Sequence, residues 1–296
     1  MNTIEVIKNK IIGFDITPEE FNFKFMISYA ILDDGCVVID PGPMNTSEKL
    51  INTLSSFCDD VKLIILTHIH IDHSGAVSKL AKRYSCIILV HPNGYKHIVN
   101  PEKLWNISLR ALGDRAWIYG KPEPCQENIL RTSSDNMELV FNGITLKIIF
   151  TPGHAHHHQS IYIPEYQVLF PGDAAGVYDS DKNIIIPTFI MPKNLQKYIS
   201  SLDKMISLKP KYICYPHFGV LKNLEILVHH RETINKWIDL LHSYNPKNLE
   251  EAKNVLLSDK TFGKIYEGSV NNEIYNMLIN LSINTIYNDV IRENLL

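Results

Sequence analysis

The feature that most constrains this chain is an apolar segment followed at once by three histidines and an aspartate. Residues 61–66 read VKLIIL, the pattern of a buried strand, and Thr67-His68-Ile69-His70-Ile71-Asp72-His73 follow directly. Consecutive strand residues point to opposite faces, so a straight strand could not aim all four polar groups at one place. Because Gly75 to Tyr84 has the pattern of a helix, we expect a strand–loop–helix unit with these groups in the loop.

The same arrangement recurs three times along the chain. His154 follows an apolar strand and a Pro-Gly pair, Asp173 follows another, and His217 comes after the strand-like YICY and a proline. Strand ends that share one edge of a fold would bring these side chains together. Imidazole and carboxylate groups in combination suit zinc, iron or manganese. The pattern therefore predicts a metal site.

Composition limits the classes of partner. The chain has 296 residues, enough for one large α/β domain with or without a small appendage. Its net charge of -3 lacks the basic surplus usual in nucleic-acid-binding proteins, so nucleic acid is not expected as a partner. No 18-residue apolar run occurs, and the first ten residues lack the apolar segment of a signal peptide, so we expect a cytoplasmic location and no membrane partner.

The order of predicted elements suggests a catalytic domain and an extension. Two β-rich runs, Asn22 to Leu32 and Cys36 to Asp40, flank an Asp-Asp-Gly turn and predict a hairpin. Residues 93–128 hold no strand pattern, and we interpret them as a helical insertion that could cover the site. After Pro246 the pattern is helical to the end. We therefore expect a catalytic domain over 1–245 and a helical extension over 246–296.

The motifs together resemble those of the metallo-β-lactamase superfamily. THIHIDHSGA is similar to the superfamily signature THxHxDHxGG, and four other motifs match in order: VVIDPG at 37–42, TPGH at 151–154, GDAA at 172–175 and the isolated His217. The resemblance covers about residues 20–220. It implies an α/β fold, the αββα sandwich, in which two mixed sheets pack face to face with helices outside. The predicted C-terminal helices would form a small appendage to this sandwich.

The resemblance also implies which side chains bind metal. It assigns seven ligands: His68, His70 and His154 for a first ion, Asp72, His73 and His217 for a second, and Asp173 as the bridge between them. Asp40 is carried over as a residue that supports the ligands, and His158 is interpreted as supporting or structural, with direct ligation as its alternative. We expect two divalent ions per chain, with zinc first and iron or manganese as alternatives.

Two positions indicate which branches of the superfamily the chain resembles. His70 stands where the redox di-iron flavoproteins carry glutamate, and Asp173 stands where true β-lactamases carry cysteine, so both activities are disfavoured. The glyoxalase II-like and lactonase-like branches keep both residues. The segments Asn100–Trp105 and Tyr119–Pro122 resemble a set of archaeal and bacterial hydrolase-like members.

These implications predict a hydrolase of a small ester-like substrate, with a thioester or lactone first. A hydroxide held between the two ions would be the nucleophile, and Asp72 would hold and orient it. Candidates for the pocket wall are Tyr178, Phe218 and Trp117. The alternatives are a mononuclear iron persulfide dioxygenase, a ribonuclease or phosphodiesterase, and a metal-dependent binding module without turnover. The expected partner is a small-molecule substrate, and a homo-oligomer is left open.

Overall fold

The computed structural model describes residues 3–21, 23–179, 182–270 and 272–292. The chain divides into two compact units. The first unit comprises Met1–Phe150, His157–Gly172 and Cys214–Val220, and the second comprises Thr151–His156, Asp173–Ile213 and Leu221–Leu296. Among the described helices, none is both long enough and apolar enough to cross a membrane.

The first unit begins with a seven-stranded sheet whose strands neighbour one another in chain order. Its strands are β1 Thr3–Ile7, β2 Ile11–Asp15, β3 Ile27–Asp33, β4 Gly35–Ile39, β5 Val61–Ile65, β6 Ile87–Val90 and β7 Leu130–Thr132. Strands β1 to β4 pair antiparallel, and β4 to β7 pair parallel. The carboxyl ends of β4 and β5 therefore lie at the same edge of the sheet, which places the loops that begin at Asp40 and Leu66 side by side.

The helices of this unit lie between the parallel strands and in the segment after β6. They are α1 Ser47–Leu54, α2 Ile71–Ser74, α3 Val77–Tyr84, α4 Tyr95–Val99, α5 Glu102–Leu112 and α6 Arg115–Tyr119. The predicted helix Gly75–Tyr84 begins only at Val77, because the chain turns tightly between α2 and α3. A Cβ atom on Gly75 would lie 2.4 Å from the carbonyl oxygen of Ile71.

A six-stranded sheet faces the first one. Its strands are β8 Glu138–Phe141, β9 Ile144–Phe150, β10 Gln159–Ile163, β11 Val168–Phe170, β14 Tyr212–Tyr215 and β15 Gly219–Leu221, in the spatial order β15-β14-β11-β10-β9-β8. The Tyr29 hydroxyl of β3 donates to the carbonyl of Tyr215 at 2.7 Å, and its ring lies edge-on to Phe170. These contacts between buried faces confirm the predicted two-sheet α/β sandwich.

The second unit is mainly helical. It holds the hairpin of β12 Val177–Asp179 and β13 Ile184–Ile186, and the helices α7 Leu195–Ser207, α8 Glu225–Tyr244, α9 Leu249–Leu257, α10 Lys260–Ser269 and α11 Glu273–Tyr287, followed by a π-helical turn. The carboxylate of Asp289 in that turn accepts from the backbone N–H of Lys193 and of Leu195. The expected extension 246–296 lies in the same unit as α7 and α8, and its boundary as a separate domain stays a prediction.

Several local predictions can be compared with these bounds. The hairpin is confirmed, because β3 and β4 pair around the predicted turn, although Asn22 lies outside the described residues. The short strands β7 and β8 and the β12–β13 hairpin had no clear sequence pattern. Helix α8 begins only at Glu225, because Gly219–Leu221 is an edge strand.

The segment 93–128 contains α4, α5 and α6. Helices α5 and α6 contact α2, the helix that carries Asp72 and His73. The Asn45 side chain donates to the carbonyls of Trp117 and Ile118 at the end of α6. These contacts hold the insertion beside the histidine-rich loop, within the first unit.

Candidate metal centre

The histidine-rich loop is held in place by Asp40. Strand β5 ends at Ile65, and the Asp40 carboxylate, which follows β4, accepts from the Thr67 N–H at 2.7 Å and from the Thr67 hydroxyl at 2.5 Å. Asp40 has a left-handed backbone with φ 49°, which aspartate tolerates better than most residues. The buried carboxylate therefore fixes the point at which the chain leaves β5.

Three of the expected ligands in the first unit lie together. The Oδ2 atom of Asp72 is 3.6 Å from Nε2 of His73 and 3.9 Å from Nε2 of His217. Ligand atoms of these three residues all lie within 4.8 Å of one another. The two imidazoles are buried, whereas about 20% of the Asp72 side-chain surface is exposed to solvent. The site is thus shielded from solvent at its two histidines and accessible to solvent at Asp72.

Each of these histidines is oriented by a hydrogen bond on its far side. Nδ1 of His73 donates to Asp40 Oδ2 at 3.0 Å, and Nδ1 of His217 donates to the carbonyl of Phe25 at 3.3 Å. Burial, followed by the nearby His73, lowers the pKa of His217 to about 4. His217 is therefore neutral at pH 7 and presents the lone pair of Nε2 toward Asp72.

This arrangement fits a cation. A lone pair on each Nε2 faces a carboxylate oxygen at 3.6 Å or 3.9 Å, which is too far for a hydrogen bond. Two ligand atoms of a tetrahedral zinc ion, each about 2.0–2.2 Å from it, lie roughly 3.4 Å apart. Histidine ligands in proteins usually donate their other N–H to a carboxylate or a backbone carbonyl, as both do here. The donor set and its spacing are therefore those of a metal site.

His68 and His70 form a neighbouring pair in the same loop. Nε2 of His68 lies 3.0 Å from Nδ1 of His70, and Nδ1 of His68 lies 3.0 Å from the Thr67 hydroxyl. The ring of His158 stacks on His68 with centroids 4.9 Å apart, and it is fully buried. Gly172 makes room for it, because a Cβ atom there would lie 2.5 Å from His158 Nε2.

His154 and Asp173 are close to each other in the second unit. Nε2 of His154 is 3.5 Å from Oδ2 of Asp173, and Nδ1 of His154 donates to the carbonyl of Thr188 at 2.9 Å. The Thr188 hydroxyl donates to the carbonyl of Asp173, so one threonine holds both residues. Gly153 permits the turn before His154: its φ is 134°, and a Cβ atom would lie 2.4 Å from Tyr198 Cα. This pair repeats the oriented imidazole and facing carboxylate of the first unit.

The three expected pocket residues have different surroundings. Phe218 adjoins His217 and has a left-handed backbone, φ 64°, held by a hydrogen bond from its N–H to the carbonyl of Phe25. Trp117 is 58% exposed and packs edge-on against Trp105 in the insertion. Tyr178 is buried in β12, where its hydroxyl donates to Asn183. Their roles as substrate contacts stay predictions.

An aromatic cluster lies beside His217, and only its member Phe218 was predicted from the sequence. It consists of five side chains in the first unit: Phe21, Phe23, Phe25, Tyr119 and Phe218. The ring of Phe25 stacks on His217 at 4.3 Å, and Phe23, which is 38% exposed, stacks on Phe218. The FNFKF sequence at 21–25 places an aromatic ring at every second residue, and that alternation was the available signal.

Comparison with known proteins identifies the family. The family model described as the metallo-beta-lactamase superfamily matches residues 27–217, which is more than half of the chain. The chain belongs to the metallo-beta-lactamase superfamily. The matched span contains every residue that the motifs nominated as a metal ligand, and divalent metal binding is a property that this superfamily fold implies.

Individual relatives in the superfamily are moderately similar. The metallo-beta-lactamase fold-containing protein ST1585 of Sulfurisphaera tokodaii is 32% identical over 205 residues, which are 68% of this chain and 75% of that protein. Its crystal structure matches with a TM-score of 0.65, over 76% of this chain and 86% of that one.

Two further relatives have names that refer to hydrolysis. The probable metallo-hydrolase YqgX of Bacillus subtilis is 28% identical over 53% of this chain and 67% of its own length. An atrochrysone carboxyl ACP thioesterase of Aspergillus fumigatus is 27% identical over 56% of this chain, but the match spans only 41% of that protein.

Asp40 offers a test of how the ligands are oriented. In Asp40→Asn the amide keeps the shape of the carboxylate but weakens its bonds to Thr67 and to Nδ1 of His73. Changes to groups that orient ligands typically lower metal affinity about 10–100-fold, and we expect a loss of this size. Competition with a chromophoric chelator measures it. Asp34→Asn, on the exposed β3–β4 turn, is the matched control, and equal affinities of the two variants would contradict the role given to Asp40.

Proposed function

We propose that this protein is a hydrolase that uses two divalent metal ions to cleave a small ester-like substrate, with a thioester or a lactone first. The observation that carries the proposal is the approach of Asp72 Oδ2 to Nε2 of His73 and of His217. By the superfamily resemblance, His68, His70 and His154 would hold one ion, Asp72, His73 and His217 would hold the other, and Asp173 would be shared between them. Divalent ions at such a centre lower the pKa of water toward about 7 and polarise a carbonyl oxygen.

The protein's own residues would orient the ligands and transfer the proton. Asp40 and the Phe25 carbonyl keep the Nδ1 protons of His73 and His217 in place, so both Nε2 atoms stay available as ligands. Asp72 is the exposed member of its group, and its carboxylate is suited to accept a proton from water and to orient it. Asp72 would then transfer that proton to the leaving group, because its carboxylate must be charged again before the next turnover.

The surroundings favour a substrate with an apolar acyl group. The aromatic cluster beside His217 offers stacked rings, and pockets for small substrates are mostly apolar with a few polar groups. The name of one relative, a carboxyl ACP thioesterase, supports a thioester as the first class to test. Insertion helices α5 and α6, which contact α2, would limit access for a long polymer.

A panel of substrates tests this function. The purified, metal-loaded protein should hydrolyse an acyl thioester or a lactone at least about 100-fold faster, in kcat/KM, than bis-p-nitrophenyl phosphate or single-stranded RNA. This ratio corresponds to roughly 2.7 kcal/mol of preferential transition-state binding. Efficient RNA cleavage that weakens steeply with salt would favour the nuclease alternative instead. One iron per chain, with oxygen consumption on a persulfide, would favour the dioxygenase.

A further inference from the structure

The second unit contains a cavity that the proposed function does not use. It has a volume of about 400 Å³ and lies between the β12–β13 hairpin and the helices α8 and α10. Pockets for small molecules typically measure about 300–1,000 Å³. The cavity is therefore large enough for a small organic ligand.

The lining of the cavity has a positive side and an apolar side. Lys260 and Lys264 lie one turn apart on α10, and both are exposed. Among the described residues, no ion pair engages either lysine and no aspartate or glutamate lines the cavity. Asp259, which precedes Lys260, is buried and pairs with Lys236. Ile184, Ile185 and Ile265 supply a buried apolar surface.

A buried histidine adds a polar group to this lining. Burial, with help from His229, lowers the pKa of His230 to about 3, so the ring is neutral. The Tyr198 hydroxyl and Nε2 of His230 share a hydrogen bond of 3.1 Å, which holds the ring in place. His230 thus brings a neutral imidazole to a lining that also includes the Thr233 hydroxyl.

We infer that this cavity binds a small organic monoanion with an apolar body, such as a short-chain carboxylate. The carboxylate would lie between Lys260 and Lys264, and the hydrocarbon would cover the three isoleucines. Ammonium groups form charge-assisted hydrogen bonds with carboxylates, and apolar burial adds affinity in proportion to area. The apolar surface beside the lysines suits an anion with a hydrocarbon tail better than a polyanion without one.

Calorimetric titration of the metal-loaded full-length protein with hexanoate tests this site. Hexanoate should bind with one site per chain, and 1-hexanol, which has the same hydrocarbon but no charge, should bind at least about tenfold more weakly. The double variant Lys260→Gln, Lys264→Gln should weaken hexanoate binding about tenfold or more. Both lysines are exposed and outside ion pairs, so we expect an unchanged thermal unfolding temperature.

The matched control removes the same two charges elsewhere in the unit. Lys197 and Lys247 are exposed and do not line the cavity, so Lys197→Gln, Lys247→Gln should bind hexanoate as the parent protein does. Equal loss in both double variants would mean that net charge alone attracts the anion. Undiminished binding in Lys260→Gln, Lys264→Gln would place hexanoate elsewhere, the metal centre included. Either result, or equal affinity for hexanol, would overturn the proposal.

Discussion

Replacing Asp72 with alanine should lower kcat/KM for the best ester or thioester substrate by about a thousandfold. The variant removes the oxygen that faces Nε2 of both His73 and His217. A metal ion supplies several kcal/mol of transition-state stabilisation, and each 1.36 kcal/mol corresponds to a factor of ten in rate. Steady-state kinetics with equal metal supplementation measures the effect, and elemental analysis should show that metal content falls from two ions per chain toward one.

The fold should survive this change. Asp72 is partly exposed at the start of α2, and the sheets are held together by other contacts, such as that between Tyr29 and Tyr215. Circular dichroism should therefore match that of the parent protein. Asp59→Ala, at an exposed aspartate before β5, is the matched control and should retain full activity. An Asp72→Ala protein with parental kinetics would show that this carboxylate has no part in the reaction.

Removal of metal should abolish activity and lower thermal stability. The chelated protein would leave imidazole lone pairs facing carboxylates at 3.5–3.9 Å, an arrangement that a cation relieves. Free metal at about a thousandfold excess over its dissociation constant stabilises a fold by roughly 4 kcal/mol. For a protein of this size that corresponds to a fall of about 8 °C in Tm after chelation.

Scanning calorimetry with and without a chelator measures this shift. Added zinc, iron or manganese should restore both stability and activity, and the metal that restores both at stoichiometric concentration identifies the working ion. The Asp72→Ala protein is the internal control, because loss of one ion should reduce the shift on chelation. A chelated protein with parental Tm and full activity would contradict a metal centre of any kind.

The order of residues along the chain was sufficient to predict the fold class and to nominate Asp72, His73 and His217, which lie close together in the first unit. Apolar strands that end in His or Asp are a local pattern, and the THIHIDH loop places its polar groups by the turn between β5 and α2. The support given by Asp40 followed from its motif, and its bonds to Thr67 and His73 give the reason. These features could be predicted because each depends on residues close to a strand end.

Features that depend on distant partners could not be predicted in this way. Phe25 lies 192 residues before His217, yet its carbonyl orients the imidazole and its ring stacks on it. Thr188 has no motif around it, although its carbonyl holds His154. Such contacts form only when distant segments pack together. A single residue without a surrounding motif therefore cannot be recognised from the sequence as a contact of this kind.

The sequence by itself determined which side chains could bind a metal, because alternation and turn residues act locally. Only the tertiary structure decided how each imidazole is turned. The tautomer of a histidine depends on the partner of its second nitrogen, and for His73 and His217 that partner comes from a distant segment of the chain. The cavity beside α10 was decided in the same way, since its lysines, histidine and isoleucines come from separate helices and a hairpin that packing alone brings together.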